Sequence, residues 1–343
     1  MLIAGDLLSL SLVESPRFRE LMHRADPRYI VPSRKYLTTK LLPDKSSSID
    51  SDIKSKLKKA QAVCLTIDLW SNRQMRSFIG ITGHFILDWT METVMLACRR
   101  FKGKHTADSI YEQYQETVNS YEIASKILSI VTDNASSMIR AFEGIPGFEG
   151  TSQDSMSSSD SDCDSDSEVD HSLYVQLPTQ WNPCFAHTVQ LAVQDGLKNT
   201  GPQLNKVLAK AAKIVSFARK STHATEILED DKRLQAANAT RWNSQLYSIK
   251  SIHSVPSEKL DALDTVHLTQ YECNCLIDIC EVLKPFEDAI VFVQQNTVSA
   301  SFVLPCVRVL KHKMTRINSK FNSKLVTTLK ESVHRRLATF EDN

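Results

Sequence analysis

The order of strand-like and helix-like segments in the first half of the chain is the feature that most restricts its fold. Ala62–Leu69, Ser77–Leu87 and Met91–Phe101 are rich in apolar and β-branched residues, and the gaps between them are short enough for hairpins. A helix pattern at Ala107–Tyr121 then leads to another buried-looking strand, Ile127–Thr132. Three meandering strands, a helix and a fourth strand predict a mixed α/β layer.

Two aspartates stand at the ends of predicted strands. Asp68 follows the apolar run that ends at Ile67, and Asp133 follows Thr132. On neighbouring strands, two such carboxylates could share a pair of divalent metal ions about 3.5–4 Å apart, the arrangement used to cut or join phosphodiesters. Taken singly, Asp68 is as well explained as a turn residue and Asp133 as a helix N-cap. Their joint placement in this order of segments, which is that of a ribonuclease-H-like sheet, favours the shared site.

The net charge of +1 hides a strong asymmetry along the chain. Between Arg140 and Lys198 there are ten acids and no lysine or arginine, which leaves 41 basic and 30 acidic residues, a net charge of +11, on the rest. A basic remainder is compatible with nucleic acid as a partner, although many basic domains bind none. The acidic Ser/Asp segment 150–172 has too little apolar surface to fold, so we predict a disordered loop, and favour a passive linker over a competitor of DNA.

The cysteines and the N-terminus indicate a reduced, intracellular compartment. Eight cysteines are scattered without the spacing of a disulfide framework, and the first residues make a poor signal peptide. No apolar run approaches the roughly 18 residues that a membrane span needs, so no membrane is expected. Cys184-x-x-His187 is too short for a closed zinc site. The alternatives for His187, at a helix start, are a lock on the turn between a strand and a helix, or a position near the two aspartates.

Three regions follow from the patterns. Residues 1–58 form an N-terminal helical segment, with helix starts at Ser15-Pro16 and Ser33 and a stop at Pro43. Residues 59–198 form the α/β domain, which ends in a helix stopped by Gly196. Residues 199–343 carry long apolar stripes and form an all-helical domain, with a kink expected at Pro285.

Arg241-Trp242 opens one of the helices predicted in the third region, with Thr240 as its cap. The default interpretation is a tryptophan packed among helices. The functional alternative is DNA binding, in which the indole stacks on a base while the arginine contacts phosphate. Sequence alone leaves both open.

Eight blocks of sequence, read in order, resemble the hAT transposase superfamily, most closely its relatives that carry a BED-type zinc finger. The blocks are 13–21, 26–34, Leu65-Thr66-x-Asp68-x-Trp70-Ser71, 81–85, Val131-Thr132-Asp133-Asn134-Ala135, Cys184-x-x-His187, Thr240-Arg241-Trp242-Asn243-Ser244, and 283–289. The resemblance implies a ribonuclease-H-like mixed sheet interrupted by a large all-helical insertion. It also implies that Asp68 and Asp133 are the first two Mg²⁺-binding acids of the catalytic triad, and that Trp242 belongs to the family's Arg-Trp block.

The chain also departs from the family pattern. The third acid of the family is a glutamate in a C-terminal dimerisation block, and this chain ends at Asn343 before that block. No Cys/His quartet precedes Val13, so zinc is expected only in the BED finger that this chain lacks. We therefore expect a truncated insertion domain, a fragmentary product and uncertain self-association.

These departures favour a non-catalytic role. We expect a nuclear, DNA- or chromatin-associated protein with a transcription-regulatory or interaction role, which binds DNA without sequence preference and pairs with nuclear proteins or intact paralogues. The alternative is a piece of an active DNA transposase that cuts and joins DNA with two metal ions. A third possibility is a decoy that neither binds DNA nor self-associates.

Overall fold

A computed structural model describes residues 2–143, 180–237, 242–294 and 300–341. The acidic segment 150–172 lies outside these residues. The described chain divides into two compact units. The first holds residues 2–130 and Gln180, and the second holds residues 131–143 and those from Trp181 onward.

Four helices open the first unit: α1 (Leu2–Gly5), α2 (Pro16–Ala25), α3 (Arg34–Tyr36) and α4 (Leu42–Lys59). A 3₁₀ turn (Leu10–Glu14) precedes α2, and one π-helical turn (Leu37–Leu41) joins α3 to α4. Both predicted starts are confirmed, because Pro16 is the first residue of α2 and the Ser33 hydroxyl accepts the Tyr36 N–H at 3.1 Å. The stop predicted at Pro43 is wrong: the chain is helical on both sides of this proline, which is the second residue of α4 and directly follows the π-helical turn.

A single lysine binds the C-terminal end of α4. Lys126 donates to the carbonyl oxygens of Leu57 and Lys58 at 2.8 Å and of Ala60 at 2.9 Å. An ammonium group has three N–H donors, and here all three meet carbonyl groups that the end of a helix leaves without intrahelical partners. The helical segment is thereby fastened to the residue next to the fourth strand.

Five strands form one mixed sheet: β1 (Val63–Ser71), β2 (Ser77–Leu87), β3 (Thr90–Phe101), β4 (Ile127–Thr132) and β5 (Gln180–Pro183). Their order is β3-β2-β1-β4-β5, and β2 pairs antiparallel with both β1 and β3. Alternate residues of β1 are buried, among them Val63, Leu65 and Ile67. Helix α5 (Ala107–Ser120) follows β3 and buries Ile110, Tyr114 and Val118. The predicted α/β class is confirmed.

Every regular element described after β5 is a helix. The helices of the second unit are α6 (Ser136–Phe142), α7 (Phe185–Lys198), α8 (Pro202–Ala218), α9 (Thr222–Ile227), α10 (Trp242–His253), α11 (Ser257–Asp261), α12 (Gln270–Val293), α13 (Val303–Arg316) and α14 (Ser323–Leu337). Helix α12 continues through Pro285. No helix in the described part of the chain combines the length and apolar character that crossing a membrane requires.

Gly196 allows α7 and α14 to approach each other closely. A Cβ atom at this position would lie 2.4 Å from Cδ2 and 2.7 Å from Cγ of Leu329, which is fully buried. The glycine stop predicted here is therefore wrong, since α7 continues to Lys198. The glycine serves helix packing rather than helix termination.

Asp195 adds an ionic contact to the same pair of helices. Its carboxylate accepts from Arg336 Nε at 2.5 Å, from Arg335 at 2.7 Å and from the Ser332 hydroxyl at 3.2 Å. Burial alone would raise the pKa of Asp195, but the hydrogen bonds and charges of Arg336, Ser332 and Arg335 outweigh it and hold the pKa below its ordinary value.

We expect Asp195 to make the second unit sensitive to acid. A depressed carboxyl pKa contributes stability that is present above the unfolded-state pKa, about 3.9, and is lost as the pH falls through the folded-state value. Urea unfolding between pH 7 and pH 2.5 should show this loss below about pH 4, and Asp195→Asn should reduce it. An unchanged acid dependence in Asp195→Asn would contradict the assignment.

Candidate functional site

Asp68 lies near the end of β1, on an exposed part of the strand. Its cross-strand partner is Gly80 of β2. Two residues further along β1, the Trp70 ring stacks on Phe78 with centroids 5.9 Å apart, and a Cβ on Gly80 would lie 2.8 Å from Trp70 Cζ3. The glycine thus leaves room for an aromatic pair beside the carboxylate.

Asp133 directly follows β4 and is half-buried. Its Oδ1 accepts the N–H of Ala135 at 3.2 Å, and Ala135 is the N-cap of α6, without a side-chain capping bond. The N-cap alternative for Asp133 is therefore wrong. Its carboxylate instead accepts the backbone N–H two residues later and forms an Asx turn before the helix begins. The turn fixes the carboxylate at the end of the strand.

A set of hydrogen bonds fastens the start of α7 to the end of β4. Cys184 N–H donates to Thr132 O at 2.7 Å, and Trp181 Nε1 donates to Thr132 Oγ1 at 3.0 Å. Thr188 Oγ1 donates to Cys184 O at 3.0 Å and accepts from Asn134 Nδ2 at 3.4 Å. Sequence reasoning missed Thr132, Trp181 and Thr188, because their side chains contact residues about 50 positions away.

Cys184 is thus placed near one of the two aspartates. Cys184 is bonded to the residue before Asp133, and His187 lies half-buried in the first turn of α7. These contacts are made by Cys184, so the two interpretations of His187, a lock on the turn or a position near the aspartates, stay predictions. Cys184 belongs to the second unit, as does Asp133, whereas Asp68 belongs to the first.

Oxygen donors are the ligands that Mg²⁺ prefers, and Asp68 and Asp133 supply that chemistry. Asp68 lies on β1 and Asp133 directly follows β4, and these two strands are neighbours in the strand order. Within the described residues, no group of three or more His, Cys, Asp or Glu side chains is arranged to hold a metal ion. The donor type fits magnesium, and metal binding by these two residues stays a prediction.

Arg241 and its predicted cap, Thr240, lie outside the described residues. Trp242 begins α10 and is only 3% exposed. Its ring meets Phe286 edge-on, with centroids 6.5 Å apart, within the core of the second unit. This is the placement expected for a packed tryptophan, since base stacking needs an accessible ring face. The DNA-binding role of Arg241 and Trp242 stays a prediction.

Comparison with known proteins adds to this geometry. A family model described as the ZBED1 RNase-like domain matches residues 66–147, a range that includes Asp68 and Asp133. Zinc finger BED domain-containing protein 4 of Homo sapiens is 24% identical over 99% of this chain and 29% of its own length.

Two further relatives come from a fungus and a plant. The putative transcriptional regulator tpeD of Talaromyces stipitatus is 23% identical over 83% of this chain and 36% of its own length. The putative AC9 transposase of Zea mays is 24% identical over 77% of this chain and 30% of its own length. The chain spans about a third of the length of these curated relatives. Together with the RNase-like sheet, the matches confirm the predicted resemblance: the chain is similar to BED-type zinc finger proteins and to hAT transposases.

Proposed function

We propose that this chain is a nuclear protein derived from a transposase, which associates with DNA or chromatin in a regulatory or interaction role and performs no turnover. The main support is the combination of an RNase-like sheet with relatives that are named as a transcriptional regulator and as BED-type zinc finger proteins. Its proposed partners are DNA, bound without sequence preference, and nuclear proteins or intact paralogues of the same family.

The chemistry of the strand ends supports a binding role better than a catalytic one. Asp68 and Asp133 are the residues that would hold Mg²⁺, which would supply positive charge to a phosphodiester oxygen. Two-metal cleavage needs near-octahedral oxygen ligation of two ions, and two carboxylates provide few of those ligands. Because groups that act as one catalytic unit are strongly non-additive, these two carboxylates acting alone are expected to give no turnover rather than reduced turnover.

The proposal predicts DNA binding without cleavage. Fluorescence anisotropy with duplexes of unrelated sequence should give similar affinities, which fall steeply as the salt concentration rises. Incubation of the chain with supercoiled and linear DNA in Mg²⁺ should leave both intact. A wild-type chain that binds no DNA, or that prefers one sequence and is insensitive to salt, would contradict the proposal.

The second candidate, an active DNA transposase, is favoured by the maize relatives that are named as putative transposases. It predicts Mg²⁺-dependent cleavage that is lost in Asp68→Asn and in Asp133→Asn. Asp88→Asn is the matched control, because Asp88 is an exposed acid in the hairpin turn between β2 and β3. Cleavage that survives in the control but not in the other two variants would establish the enzyme and overturn the proposal of no turnover.

A further inference from the structure

Helix α13 is unusually basic for its length. Its 14 residues, VLPCVRVLKHKMTR, include Arg308, Lys311, Lys313 and Arg316 together with His312, and contain no acid. Solvated helix faces commonly mix both signs of charge, since opposite charges four residues apart stabilise a helix. A helix that carries four positive charges and no negative one lacks that internal compensation.

The charged side chains of α13 form an ordered row. Val307, Leu310 and Met314 bury one side of the helix in the core of the second unit. Residues four apart lie one above the other on a helix, so Arg308, His312 and Arg316 follow one another along the opposite, exposed side. We call these three residues the Arg308 row. At 1.5 Å per residue, its two arginines are about 12 Å apart along the helix axis.

The two arginines of the row have no compensating partner in the described structure. Lys311 pairs with Glu341 at 2.5 Å and Lys313 lies 3.8 Å from Asp288, so the other two cations of α13 are partly neutralised. Arg308 and Arg316 make no ion pair or side-chain hydrogen bond with any described residue. Glu281 and Asp288 of α12 line a groove together with His312, Lys313 and Arg316, so these two acids lie on one side of the row without pairing with its arginines.

We propose that the Arg308 row is a docking surface for the phosphate backbone of duplex DNA. The proposal rests on the proposed function and adds the surface that binds. The major groove is about 12 Å wide and the two arginines start about 12 Å apart on the helix axis, so their long side chains can extend toward phosphates on the two sides of the groove. Guanidinium groups are suited to phosphate, since two of their N–H groups can donate parallel hydrogen bonds to two phosphate oxygens in the guanidinium plane.

An acidic protein surface would also complement the positive charge of this row. Duplex DNA is favoured because its backbone carries negative charge continuously along its length, so two flexible arginines that start about 12 Å apart can each reach a phosphate without a matched partner surface. A phosphate-backbone contact positions a protein on DNA without reading its sequence. The row therefore predicts affinity that depends on salt and that is independent of sequence.

The test compares two charge-neutralised variants of the full chain. Arg308→Gln/Arg316→Gln removes the two arginines. Lys206→Gln/Lys213→Gln is the matched control, since both lysines are exposed on α8 and form no ion pair with a residue that the structure describes. Anisotropy with a 30-base-pair duplex is measured from about 50 to 200 mM salt. The arginine variant should bind at least about tenfold more weakly, and its slope of log affinity against log salt should be shallower by about 2. The control should keep both values near those of the wild type.

Each other outcome has a distinct meaning. Arg308→Lys/Arg316→Lys keeps both positive charges and should retain the wild-type salt slope. An unchanged thermal melting curve for each variant would show that a loss of affinity does not come from unfolding. Equal losses in the arginine and lysine variants would overturn the docking surface but leave DNA association intact, because binding would then follow net charge alone. A wild type that does not bind DNA would overturn the proposed function as well. Binding of polyglutamate that depends on the row, with DNA binding unaffected, would identify an acidic protein as the partner and overturn the proposal.

Discussion

Replacement of Trp242 by alanine is expected to lower the free energy of unfolding by about 3–5 kcal/mol, the range for truncating a buried aromatic side chain. Trp242 is 3% exposed and packs edge-on against Phe286 in the helical core. The change removes the indole and leaves a cavity that the surrounding helices fill only in part. Urea unfolding of wild type and variant, followed by far-ultraviolet circular dichroism, measures the difference.

Trp242→Phe is the control that separates packing from DNA binding. It keeps an aromatic ring and removes Nε1, a buried donor that has no hydrogen-bond partner in the described structure. Because an unpaired buried donor is itself costly, its removal should offset part of the lost volume, and the net change should stay below about 1.5 kcal/mol. An alanine variant as stable as the wild type would show that the ring is not part of the core. Weaker DNA binding in a fully stable Trp242→Phe chain would instead support a direct contact.

Gly196→Ala is expected to destabilise the second unit by about 1–3 kcal/mol, although alanine favours helix formation by about 1 kcal/mol in a helix interior. The new Cβ would lie within 2.4–2.7 Å of two Leu329 atoms, and Leu329 is fully buried, so its side chain cannot swing into solvent. Helices α7 and α14 must then move apart. Thermal and urea unfolding of the full chain would measure the loss.

A double-mutant cycle with Leu329→Ala tests the cause of that loss. Leu329→Ala alone should cost about 2–5 kcal/mol, as a core truncation. With the leucine shortened, Gly196→Ala should cost little or should stabilise, which gives a coupling energy between the two sites. Gly5→Ala is a control, since a Cβ there meets no atom within 4 Å. Equal costs of Gly196→Ala in both backgrounds would contradict the close approach.

Much of the sheet could be predicted from local sequence. The observed bounds of β2 and β4 are those expected from their runs of β-branched and apolar residues, and β1 and β3 differ by at most two residues at either end. Side-chain alternation and short hairpin gaps are local properties, so no distant contact was needed to find these strands. The class of fold followed from their order.

The errors have a different physical origin. Proline usually ends a helix, because it has no N–H to donate and its ring crowds the preceding turn, but at Pro43 the helix continues after a π-helical turn that no local pattern indicated. Gly196 has a neighbour, Leu329, that lies 133 positions later, and no local pattern contains that contact. The strand-end aspartates were visible in the sequence, whereas the hydrogen bonds of Thr132 with Trp181 and Cys184 depend on the folded chain.

Strand β4 lies between β1 and β5 in the strand order, so it is an interior strand of the sheet. Domains are usually joined by exposed linkers, at which a gene can be divided without loss of either part. A deletion that ended within β4 would instead leave β1 with an unpaired edge, which can pair with another chain and cause aggregation. Point substitutions, rather than deletions, are therefore the way to assign a role to residues on either side of β4.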